Sequence, residues 1–158
     1  MIKVIGIDPG LAATGIGIIT GTGLTVSAYS YGVIRTGSRM TTPRRLDHIF
    51  SRLSSILEQE KPDRMVLEAV FSLDCYPKSG ISLGNVTGVI LLAAHRAGLM
   101  VDEIPVREVK RILTGNGKAS KGQLEKAVRA RLHLTTPMRP FHCSDAVGLA
   151  LIGLFRCR

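Results

Sequence analysis

The sequence predicts an α/β protein built on a mixed five-stranded sheet, an antiparallel meander followed by parallel strands, with helices covering its faces. Three observations predict it. Residues 3–34 read as three consecutive strands joined by tight turns. From residue 42 onward, helical stripes alternate with short apolar runs. The 158 residues are 45% hydrophobic with no low-complexity tract, enough for one domain with a real core. No repeat or internal boundary appears, so residues 1–158 are expected to form one domain.

Lys3-Val4-Ile5-Gly6-Ile7-Asp8 reads as a buried strand that Pro9-Gly10 stops sharply. The second strand is Thr14–Ile19 and the third runs from about Leu24 to Ile34, with Gly21-Thr22-Gly23 as hairpin chemistry between them. A helix follows, with Thr42 as cap and Pro43 in its first position. Leu46, Ile49, Phe50, Leu53, Ile56 and Leu57 form its apolar stripe, and Pro62-Asp63 stops it. Arg64–Glu68 reads as a fourth strand with a carboxylate at its end. Residues 70–79 are a loop containing Phe71 and Tyr76.

A second helix is expected from about Ser79 to Ala97, with Gly98 just past its end. Gly80, Gly84 and Gly88 recur every four residues and so share one face, where another backbone, of the sheet or of a partner, can approach closely. Met100–Ile104 is a fifth strand. A short helix begins at Val106, a basic loop spans Gly115–Lys118, and Ser120 with Gln123 forms a capping box for the next helix. The last helix is apolar nearly all round, so it packs on the sheet.

Charge is concentrated. Of the net +9, residues 107–139 supply +7: nine Lys and Arg (Lys110 and Lys121 among them) against Glu108 and Glu125. Residues 1–106 are nearly balanced, with ten basic and nine acidic side chains. One basic segment is the footprint of a phosphate backbone. Three cysteines in no metal-like spacing suit reduced thiols in the cytoplasm. The chain opens on a strand rather than a signal peptide, and its apolar runs are too short to span a bilayer.

Asp8 and Glu68 each end a strand. If the crossover makes these strands parallel neighbours, the two carboxylates stand side by side. The last helix brings two more groups in Arg139-Pro140-Phe141-His142-Cys143-Ser144-Asp145. With Pro140 as its first residue, His142 and Asp145 lie three apart on one face of the first turn. With Ser144 as cap, His142 stays in the loop. Three carboxylates and a histidine need a cation to coexist, and hard oxygen donors with one imidazole suit Mg²⁺ or Mn²⁺. Two such ions about 4 Å apart can clamp the attacking and leaving oxygens of a phosphodiester. The residues therefore point to metal-dependent phosphoryl transfer on nucleic acid.

Gly6-Ile7-Asp8-Pro9-Gly10 with Thr14-Gly15, Leu67-Glu68-Ala69-Val70-Phe71, and Ser144-Asp145-Ala146 resemble the RuvC family of Holliday junction resolvases. The three motifs keep the family's order over nearly the whole chain. The resemblance implies a ribonuclease H-like fold, a homodimer, and paired symmetrical nicking of four-way DNA junctions with Mg²⁺ or Mn²⁺, two ions per site. It also implies a role in recombination and repair beside a branch-migration helicase. The family's catalytic and metal-binding positions fall on Asp8, Glu68, His142 and Asp145; many members carry Asp where this chain has His142. Phe71 matches an aromatic pressed against bases at the crossover. Lys110 and Lys121 match junction-binding positions. The family's arginine near position 87 is missing, since this chain reads Gly84-Asn85-Val86-Thr87-Gly88.

Three other readings compete. A sugar-kinase or actin-like ATPase also opens with Asp-x-Gly on a first strand but needs two large domains, more than 158 residues supply. A related nuclease acting on RNA would read 2′-hydroxyls, for which no motif appears. A silent DNA-binding module would not need the full carboxylate set.

Overall fold

The computed structural model describes residues 1–69 and 77–157. Strands β1 (Ile2–Asp8), β2 (Ala13–Thr22) and β3 (Thr25–Arg35) open the chain, followed by helix α1 (Thr42–Glu60) and strand β4 (Arg64–Glu68). Helix α2 (Pro77–Arg96), strand β5 (Val101–Ile104) and helices α3 (Val106–Thr114), α4 (Lys121–Arg131) and α5 (Phe141–Arg156) complete it. The sheet order is β3-β2-β1-β4-β5. β1 sits at the centre, antiparallel to β2 and parallel to β4, and β4 is parallel to β5. The expected meander followed by parallel strands is the architecture found.

Strand alternation sorts the core into two layers. Ile5, Ile7, Met65 and Leu67 point to the side covered by α1 and α2, where they meet Ile49, Leu53 and Ile90. Val4, Val66 and Ile104 point to the side covered by α5, with Val147, Leu151 and Leu154. α5 is buried along almost its whole length, Cys143 to Leu154, because it lies on the sheet beneath α3 and α4.

Glycines in the sheet let α5 come this close. A Cβ on Gly6 would stand 2.1 Å from the carbonyl oxygen of Ala146 and 2.6 Å from the amide of Ala150. One on Gly15 would stand 2.1 Å from the carbonyl oxygen of His142, and one on Gly17 would stand 2.5 Å from the amide of Val147. Alternation puts all three on the α5 side, so the helix backbone rests almost on the strand backbone.

Several boundaries move. The hairpin turn is Gly23-Leu24, with Gly23 left-handed at φ 57°, because β2 runs on to Thr22. α1 begins at Thr42 itself; Thr41 is the extended residue before it and makes no side-chain cap, which corrects the assignment of Thr42 as cap. α2 begins at Pro77 rather than Ser79, and Gly98 has the left-handed φ of 70° expected after its end. The Ser120–Gln123 capping box is formed in both directions. Gly80, Gly84 and Gly88 do not meet the sheet: among the described residues, a Cβ on any of them would find nothing within 4 Å.

Candidate active site

The register Ile7↔Leu67 between β1 and β4 sets Asp8 and Glu68 at neighbouring strand ends, on the α5 side of the sheet. Across β1 and β2, Asp8 pairs with Gly15, the glycine over which the backbone of His142 lies. The sheet motif and the helix motif are thereby brought to one point, although more than 130 residues separate them in sequence.

α5 starts at Phe141, with extended Pro140 before it, so His142 lies inside the helix. This settles the alternative in which Ser144 caps the helix: Ser144 is fully buried and its hydroxyl donates back to the carbonyl of Phe141 at 2.8 Å. His142 and Asp145 share a face, with Asp145 one residue beyond the first turn. His142 Nδ1 is hydrogen-bonded to Asp8 Oδ2 at 2.6 Å.

Asp8, Glu68, His142 and Asp145 line one cavity of about 670 Å³, and Lys110 and Lys121 stand on its wall. Burial drives the electrostatics. It pushes Asp8 up to about 6 against the relief of a hydrogen bond with Glu68, with Asp145 raising it further and Lys121 lowering it. Burial also pushes Glu68 up to about 8, helped by its hydrogen bond to Asp8 and the Asp8 charge. Asp145 is raised by burial and by Glu68, and relieved by Lys121, His142 and Lys110. One Asp145 carboxylate oxygen, Oδ1, is buried with no hydrogen-bond partner among the described residues. A buried carboxylate oxygen with no partner, in one cavity with two carboxyls whose ionisation burial opposes, is a local demand for positive charge.

Hard carboxylate oxygens and one imidazole are donors that fit a divalent cation. Among the described residues no three His, Cys, Asp or Glu side chains stand in a ready-made metal cage. Instead Asp8 is taken up by His142 and Glu68, which is how like charges settle when protons stand in for a cation.

The structure adds two residues that the sequence motifs do not mark. Arg107, one of nine cations in the basic segment, lines the cavity mouth. A Cβ on Gly117 would fall 3.1 Å from its Cγ, so Gly117 leaves room for the arginine against the basic loop. Glu125 is 3% exposed and accepts the backbone N–H of Met138 at 2.8 Å. It also pairs with Arg129, which donates to the carbonyl of Thr135. α4 thus ties down the segment that leads into α5, and Arg139, over the Phe141 ring at 4.2 Å, braces the entry. A lone Glu in a basic helix carries no local signal of this. Phe71 and Cys75 lie outside the described residues, as does most of the 72–79 loop.

The family model of the crossover junction endodeoxyribonuclease RuvC matches residues 4–153. A RuvC from Chlorobium phaeovibrioides is 38% identical over 98% of this chain and 82% of its own length. One from Rhodopirellula baltica is 37% identical over 95% of this chain and 84% of its own length. Thermus thermophilus RuvC, solved with a Holliday junction substrate, superposes with a TM-score of 0.91 at 30% identity, covering 100% of this chain and 96% of that one. The yeast mitochondrial resolvase Ydc2, at 12% identity and a TM-score of 0.65, shares the fold. With the central strand, the glycine-seated helix and the carboxylates between them in the arrangement described, the chain belongs to the RuvC family of crossover junction endodeoxyribonucleases, with its ribonuclease H-like fold.

Proposed function

We propose that Asp8, Glu68, His142 and Asp145 form the catalytic centre with which this Holliday junction endonuclease hydrolyses a phosphodiester, and that they bind two divalent cations, Mg²⁺ or Mn²⁺. The observation that carries the proposal is the unpartnered buried oxygen of Asp145 in one cavity with two carboxyls whose ionisation burial opposes. Bound there, the cations supply Lewis-acid stabilisation of the charge that builds on the phosphate and a reactive water at neutral pH. Asp8 and Glu68, both raised by burial, would give up protons as the cations enter, which makes binding pH-dependent. His142, seated in the first turn of α5 against Asp8, contributes a softer, neutral donor.

Lys110, Lys121 and Arg107 on the cavity wall position the anionic strand beside these groups. Phe71 stacks on opened bases. A homodimer with two such sites matches the two-fold symmetry of a junction and yields paired nicks. The exposed face of α2, where Ile81 and Leu92 flank the open glycines, supports the dimer. The wider family role, in the cytoplasm beside a branch-migration helicase, belongs to the same reading. The RNA alternative is not favoured, since both the named relatives and the junction-bound structure concern DNA crossovers.

Asp8→Asn tests the centre. It leaves the basic surface intact, so four-way junctions should still bind while cleavage falls by at least about 10²-fold, the usual effect of losing one group that acts in the transition state. Near-normal cutting by this variant would refute the assignment. A panel of labelled four-way junction, plain duplex and structured RNA fixes the substrate in the same assay.

A further inference from the structure

Segment charge averages hide a second basic cluster. Between residues 35 and 52 the chain carries five arginines (35, 39, 44, 45 and 52) against the single acid Asp47. Arg45 has a structural role, its Nε donating to the carbonyl of Gly37 at 3.0 Å. Arg35, Arg39 and Arg44 are exposed, and none takes part in an ion pair among the described residues.

Topology brings this cluster to the catalytic edge. β3 is antiparallel to β2, which is antiparallel to β1, so β3 and β1 end at the same side of the sheet. Gly15 pairs with Asp8 on one flank and Val33 on the other, and Arg35 lies two residues beyond Val33. Two strand spacings across and two residue rises along put the end of β3 about 12 Å from Asp8. The loop that follows is fastened to the turn after Asp8: the Thr36 amide donates to the Ala12 carbonyl at 3.0 Å, and its hydroxyl to the Leu11 carbonyl at 2.6 Å. Met40 N donates to the Gly37 carbonyl at 3.1 Å, closing the loop that carries Arg39. Lys110, Lys121 and Arg107 rise from α3 and α4, on the β4–β5 side of the same edge.

The buried carboxylates are therefore flanked by cations on both sides. We propose that Arg35, Arg39 and Arg44 form a second phosphate-backbone surface, which takes the cleaved DNA strand on the side of the scissile bond opposite to α3 and α4. The inference rests on the junction-cleaving reading above and adds the direction in which the strand runs, across the sheet edge from β5 to β3. A span this short means that the patch touches phosphates close to the cut. Exposed arginines held near their contact point lose less freedom on binding than lysines would, and they grip phosphate oxygens bidentately.

The test is the salt dependence of junction binding in a cleavage-dead Asp8→Asn background, with and without Arg35→Gln, Arg39→Gln and Arg44→Gln together. All three side chains are exposed, so circular dichroism should be unchanged. The slope of log affinity against log salt should flatten by about 0.9 for each phosphate that is no longer neutralised, a total of about 2–3. Hydroxyl-radical protection should disappear on one side of the cleavage position and persist on the other. Replacing Lys110 and Lys121 should remove the complementary protection. An unchanged slope and footprint in a parent that binds junctions would overturn the patch alone, assigning these arginines to solvent or to another partner. A parent that binds no four-way junction would overturn the junction reading itself, and the patch with it.

Discussion

α5 and α2 are both apolar, glycine-associated helices on a sheet, yet they use close approach in opposite ways. α5 has its small residues opposite it, in β1 and β2, and its backbone comes so near that one added methyl at Gly6 or Gly15 would overlap a carbonyl. α2 carries its own glycines at 80, 84 and 88, and they look outward with nothing within 4 Å among the described residues. The first arrangement gathers the candidate site: it puts His142 and Asp145 in one cavity with Asp8 and Glu68, with His142 hydrogen-bonded to Asp8. The second leaves an exposed face with Ile81 and Leu92 beside the glycines. Glycine spacing therefore announces that two backbones can meet. It does not announce which one arrives.

The largest effect should come from breaking the seat of α5. Gly6→Ala drives a Cβ into the Ala146 carbonyl and the Ala150 amide, and neither can yield without moving the helix. Overpacking of this kind costs about 3 kcal/mol, a fall of about 6–12 °C in Tm for a domain of this size. Cleavage should fall more than stability explains, because His142 and Asp145 move with the helix. A Tm within a degree of the parent would mean that the helix is seated less closely than described.

Loosening the start of α5 should come next. Glu125→Ala removes the acceptor for the buried Met138 amide, a cost of about 1–3 kcal/mol. Glu125→Gln keeps an acceptor and should restore most of the stability and the cleavage rate. Equal damage from both would make the charge, paired with Arg129, the feature that matters.

His142→Asp exchanges a softer donor for a hard anionic one without disturbing the glycine seat. The parent should cut faster with Mn²⁺ than with Mg²⁺ at equal concentration, and the variant should move the ratio toward Mg²⁺. Identical metal ratios in the two proteins would reduce His142 to a helix-start residue.

A smaller effect concerns charge under α5. In the metal-free protein, Glu68 keeps its proton up to about pH 8, whereas the unfolded chain releases it near 4.5; Asp8 behaves likewise between 3.8 and about 6. Over that window the folded state binds more protons, so stability falls as pH rises. Thermal melts should show Tm dropping by a few degrees from pH 5 to pH 8, with Glu68→Gln flattening the curve and added Mg²⁺ offsetting the loss. A flat parent curve would show that these carboxyls ionise without cost.

The smallest change belongs to α2. Gly84→Ala meets open space and should raise monomer stability by about 1 kcal/mol through helix propensity alone. If this face is the dimer contact, sedimentation should show weaker association in the same variant. A lower Tm without any change in association would place a covering element over the glycines within one chain.

By itself the sequence determined most elements whose signal is local, although the Thr42 cap and the start of α2 moved. Pro9-Gly10 ends β1, Arg64–Glu68 forms β4 to the residue, and Ser120 and Gln123 close their capping box, because a cap or a period-2 run depends only on neighbours a few residues away. Asp8 and Glu68 of the candidate site were legible for the same reason: a charge ending a buried strand stands out from its flanks. Tertiary structure alone decided what covers each face. The start of α5 at Phe141 follows from Glu125 holding Met138 and from Gly15 admitting the His142 backbone, contacts that no window around residue 141 contains. The outward turn of the α2 glycines and the approach of the 35–44 arginines to Asp8 arise the same way, from strand order and register. Both place residues far apart in sequence at one edge, and the energy that fixes them is long-range burial rather than local preference.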